Sequence, residues 1–104
     1  MNSIFWTAYS NNERIAAIIE IEKVIGSFGF ITDFKQFSDI SISVKIEIEE
    51  CKILELFKNL EHIIDIDKIE QQFSISNRER VIFLNITFTH ATGDLRIETP
   101  AVPG

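Results

Sequence analysis

Between Ile40 and Glu49, apolar and polar residues take strict turns. Ile40, Ile42, Val44, Ile46 and Ile48 alternate with Ser41, Ser43, Lys45, Glu47 and Glu49. A period of two sends alternate side chains to opposite faces, so the segment predicts a strand with one buried and one wet face, as in an antiparallel sheet covered on one side. The pattern returns near the end, where Ile82, Leu84, Ile86 and Phe88 face away from Val81, Phe83, Asn85, Thr87 and Thr89. A shorter version opens the chain, with Ile4, Trp6 and Ala8 on one side and Phe5, Thr7 and Tyr9 on the other. Phe28 to Phe37 predicts a further strand, closed by a turn at Ser38-Asp39.

Two segments change to helical spacing. Ile53, Leu56, Phe57, Leu60, Ile63 and Ile64 recur on one side of a helix whose other side carries Cys51, Glu55, Lys58 and His62. An earlier helix would bury Ile15, Ile18, Ile21 and Ile25 and leave Glu13, Glu20 and Lys23 outside, with Gly26 as its stop. Ser10-Asn11-Asn12-Glu13 has the form of a capping box at its start. Ile19-Glu20-Ile21-Glu22 also alternates, so period alone leaves a strand open there. Residues 65–76 fit either strand or helix.

The resulting order is β-α-β-β-α-β. It predicts an α+β chain, a single domain over residues 1–104, built as a ferredoxin-like two-layer sandwich. The expected form is an antiparallel sheet with two helices on one face, with room for one extra C-terminal strand around Leu95-Arg96-Ile97. This fold hosts enzymes, regulators, metal carriers and interaction modules, so fold alone selects no function.

Composition narrows the field. Sixteen acids against ten bases give a net charge of −6, and eight of the acids, with only three lysines, fall between Glu47 and Glu70. Such a surface repels nucleic acid and attracts a cationic partner. The polar face of the Ile40–Glu49 strand also lacks the base-stacking aromatics of RNA-binding sheets. Cys51 is the one cysteine, so no intrachain disulfide forms and no zinc-ligand spacing exists. Neither a basic-then-apolar leader nor a run of about 20 apolar residues is present, which predicts a cytoplasmic protein without a membrane span.

Chemistry-bearing clusters are few. Cys51 and His62 share a helix face but stand about 16 Å apart at ~1.5 Å rise per residue, too far for one site. Asp65 and Asp67 lack the glycine-containing pattern of a calcium loop. His90-Ala91-Thr92-Gly93-Asp94 is the most enzyme-like turn, yet no nucleophile motif or phosphate loop accompanies it. No catalytic residue, metal or cofactor is assigned.

The surface selected instead is apolar. If the helices cover Ile4, Trp6 and Ala8, then Phe5 and Tyr9 face the open side of the sheet, and Val81 and Phe83 join them from the last strand. Phe5, Tyr9, Val81 and Phe83 therefore form the candidate binding residues, unless Leu95, Ile97 and Val102 fold back over them. The expected function is a non-enzymatic interaction or regulatory domain, a homodimer or the binder of a protein partner. An acidic inhibitor of a basic protein, as toxin-neutralising immunity proteins are, is one version. The alternative is a small enzyme using His90 with Asp94, or Asp65 with Asp67.

Overall fold

The structure is a computed structural model that describes residues 3–67 and 74–89. Its elements are β1 (Ile4–Ser10), α1 (Arg14–Gly26), β2 (Gly29–Ser38), β3 (Ser41–Glu49), a 3-10 turn at Glu50–Lys52, α2 (Ile53–Leu60), β4 (Asp65–Ile66) and β5 (Glu79–Phe88). They form an α+β arrangement of two helices and one five-stranded sheet.

The strand order is β2-β3-β5-β1-β4. β5 runs parallel to β1, with Ile4 opposite Ile82 and Ser10 opposite Phe88, while the other neighbours are antiparallel. The sheet is therefore mixed rather than wholly antiparallel, and β5 lies between β3 and β1. Period-two alternation specifies which face a residue takes but not which strand lies beside it. A β-α-β-β-α-β chain order is satisfied by more than one strand order. Burial explains why β5 takes the centre: Ile82, Leu84, Ile86 and Phe88 are all fully enclosed. The fifth described strand is β4, which pairs with Ala8 and Tyr9 on the far edge. The segment around Leu95–Ile97 lies outside the described residues.

One hydrophobic core joins both helices to a single face of the sheet. Even-numbered residues of β1, β3 and β5 pack with Ala17, Ile21 and Ile25 of α1 and with Ile53, Leu56, Phe57 and Leu60 of α2. Trp6 lies at its centre, edge-on to Phe57 with ring centroids 5.4 Å apart. The indole Nε1–H of Trp6 is buried without a hydrogen-bond partner among the described residues.

The start of α1 differs from the expected capping box. Glu13 itself is the N-cap, its carboxylate accepting from the Ile15 and Ala16 N–H groups at 3.0 and 3.1 Å. Ser10 instead ends β1, buried, where its hydroxyl accepts from the Asn12 N–H. The apolar stripe of α1 is also rotated: Ala17, Ile21 and Ile25 are buried while Ile15 is exposed. Isoleucines stand on several sides of this helix, so spacing did not single out one stripe.

β2 reaches the sheet through a close approach at Gly29. A Cβ there would meet the Glu47 carbonyl oxygen at 2.6 Å, so glycine is required where β2 first meets β3. Two register shifts interrupt the β2 ladder, between Ile31 and Asp33 and between Gln36 and Ser38.

Candidate functional site

Odd-numbered residues of β1, β3 and β5 face away from both helices. Phe5 lies directly beside Phe83 in the parallel ladder, and the two rings stack with centroids 5.4 Å apart and planes 16° from parallel. Phe5 is 70% exposed and Phe83 is half-buried. Val81 follows on the same face of β5, opposite Glu47 of β3. Beyond Glu47 comes Phe30 of β2, 74% exposed. Phe30, Val81, Phe83 and Phe5 thus mark an apolar zone at one end of the open face.

Tyr9 belongs elsewhere. It shares the face but follows Phe5 by four positions, about 13 Å at ~3.3 Å per residue, with Thr7 between them. Its neighbours are Thr87 and Asp65. The sequence-derived quartet therefore divides into Phe5, Val81 and Phe83 on one side and Tyr9 on the other.

Carboxylates border the apolar zone. Glu47 and Glu49 project from β3 onto the open face, and Glu49 lies directly opposite Glu79 of β5. Like charges facing each other across an antiparallel pair are destabilising. Lys52 relieves this in part, its ammonium 3.4 Å from Glu49. Lys45, opposite Phe83, supplies a cation in the next row, with Asp33 on its other side.

The acidic run of the sequence is thus not one surface. Glu47 and Glu49 lie on the open face, Glu55 on the outside of α2, and Glu61, Asp65 and Asp67 beyond its end. Glu70 lies outside the described residues. Glu50 is buried, its side chain 5% exposed. Its carboxylate accepts from the Ser74 N–H and hydroxyl, from Arg78 Nε and from an Arg80 guanidinium nitrogen, at 2.7 to 3.0 Å. The Ser74 N–H, then Arg78 and the Ser74 hydroxyl, hold this carboxyl far below its ordinary range. Burial opposes them and Arg80 adds to them. Glu50 is a clasp joining the start of α2 to the approach to β5. Its signal in the sequence was parity, since position 50 continues the buried even positions of β3.

A concavity of about 220 Å³ opens where the end of β1 and the loop after it meet the segment joining α2 to β4. Tyr9, Asn11, Asn12, Glu61, His62 and Asp65 line it. The Thr89 hydroxyl donates to Oδ1 of Asn11, one of the lining residues, at 2.6 Å. Among the described residues no hydrogen bond links His62 to Tyr9, Glu61 or Asp65, and no cluster of three or more His, Cys, Asp or Glu side chains could hold a metal ion. Asp65 pairs with Tyr9 in the ladder, while the Asp67 backbone N–H donates to the Thr7 carbonyl. His90 and Asp94 lie outside the described residues. Cys51 is exposed in the 3-10 turn before α2, and no described helix is long and apolar enough to cross a membrane. Compared with known protein families, with curated proteins and with solved structures, the chain finds no match.

Proposed function

We propose that this chain is a non-enzymatic protein-interaction domain that docks a basic protein partner on the open face of its sheet. The observation that carries the proposal is the Phe5–Phe83 stack on the open face, with Val81 and Glu47 in the next row along β5 and β3 and the Glu49 and Glu79 carboxylates in the row beyond. An aromatic centre with a charged rim is the anatomy of a protein contact. Arginine suits it, since a guanidinium can lie over an aromatic ring and pair with a carboxylate beside it. A cationic partner would also offset the Glu49–Glu79 repulsion that the free domain carries. Inhibition of a basic toxin or enzyme is the biological version of this reading.

Affinity capture from the producing cells, with wild type, Phe83→Asp and Glu49→Lys as parallel baits, tests it. The expected result is a basic protein retained by wild type, released by raised salt and lost by both variants. A captured protein that either variant retains at wild-type level would refute the assignment of this face. A homodimer that dissociates on Phe83→Asp would also overturn the basic-partner reading, because a second copy would then occupy the face.

A further inference from the structure

The outer edge of β2 is the longest unpartnered stretch of backbone in the described structure. β2 ends the strand order, pairs with β3 on one side, and has no described strand on the other. A row of unpaired N–H and C=O groups is a template for another strand. The side chains along it are unusually apolar for an edge: Phe30 and Phe37 are largely exposed and Phe34 is partly so.

The order of charges selects the occupant. The two register shifts leave a regular run from Asp33 to Gln36, with Phe34 flanked by Asp33 and Lys35. Asp33 and Lys35 face the same side, opposite Lys45 and Ser43 of β3. Within the chain they make only a marginal contact, 4.0 Å between two exposed groups. The Asp33 carboxylate also accepts from the Phe34 N–H at 2.9 Å, a local substitute for a strand partner. If two copies pair antiparallel with Phe34 opposite Phe34, each Asp33 stands opposite Lys35 of the other copy. A parallel arrangement in register would place like charges together.

We propose that a second copy of this chain adds to the β2 edge in that register, giving a two-fold dimer with one sheet continuous across both copies. Such an isologous contact is self-complementary by symmetry, and strand addition supplies backbone hydrogen bonds that a face contact lacks. The register shifts on either side keep the ladder short, so association is reversible rather than fibrillar. Both open faces remain free, and the dimer presents two partner sites on the same side of the joined sheet. The proposal stands independently of the basic partner.

Light scattering after size exclusion, over loading concentrations of roughly 5 to 500 µM, reads it directly. Wild type is expected to shift from monomer to dimer mass. Asp33→Lys and Lys35→Asp each set like charges across the two-fold and should weaken dimerisation about tenfold or more. These positions are exposed, so folding is retained, with circular dichroism as the check. The decisive arm mixes the two variants. The paired lysines of the Asp33→Lys chain then oppose the paired aspartates of the Lys35→Asp chain, and a heterodimer should form at wild-type strength. A wild type that stays monomeric throughout overturns the proposal. So do single variants that dimerise like wild type, or a mixture that fails to associate. Phe83→Asp should leave this dimer intact while abolishing partner capture, which separates the two readings.

Discussion

β3 carries two regions back to back. Ile42, Val44, Ile46 and Ile48 are enclosed by the helices, whereas Ser41, Ser43, Lys45, Glu47 and Glu49, one residue out of phase, face the open side. The same backbone and the same hydrogen bonds serve both. The difference teaches that this sheet holds its shape through one face and leaves the other free to vary, so stability and recognition should respond to different substitutions.

The sharpest way to break the comparison is a cavity on the enclosed side. Leu84→Ala in β5, fully buried in the core, should lower unfolding free energy by about 3 kcal/mol, within the range for a buried leucine. Urea unfolding followed by Trp6 fluorescence measures it, since Trp6 is the one tryptophan. A loss under about 1 kcal/mol would mean that the core side is loosely packed.

Glu50→Gln comes next and probes a charge on the enclosed side. The folded carboxyl is held below its ordinary value of 4.5, so its contribution is complete above that pH and is lost as pH falls beneath it. The variant should be less stable than wild type at pH 7, and the two melting curves should converge as the solution is acidified below pH 4.5. Parallel curves at every pH would remove Glu50 as the acid-sensitive clasp.

The smallest effect belongs to the open face. Ser43→Ala should change stability by less than about 0.5 kcal/mol, as surface substitutions do. A larger loss in the same urea assay would show that something rests on that face in solution.

Much of this two-sidedness was legible in the chain. Alternation through Ile40–Glu49 and Val81–Thr89 specified the enclosed and open residues of β3 and β5, and the open-side placement of Phe5 and Phe83 followed from it. Neighbour relations were legible only in part: the first and last strands were expected side by side, as they are, but not their relative direction or the rest of the order. Periodicity carries no information on pairing, so the central position of β5 and its parallel run beside β1 emerge only from the packed whole. The same gap hid the Glu49–Glu79 juxtaposition, whereas the distance between Phe5 and Tyr9 follows from strand rise alone. In α1, Ser10 and Glu13 were both capable of capping. Burial of Ser10 at the end of β1 left the role to Glu13. Glu50 was masked by its neighbours, because a third acid after Glu47 and Glu49 resembles more surface charge.

The parallel ladder between β1 and β5 has a consequence for synthesis. β1 takes its long partner from the last described strand, so during synthesis Ile4 has no Ile82 beside it until every other described element has been made. The β2–β3 hairpin can close early, because its ends are near in sequence. Until β5 arrives, the inner edges of β1 and β3 are both uncovered, together with the apolar sides of both helices. A nascent chain in that state is a candidate for chaperone capture or for mispairing with its neighbours on a polysome. Insertion of one strand completes both halves of the sheet at once, so the domain matures in a single late step.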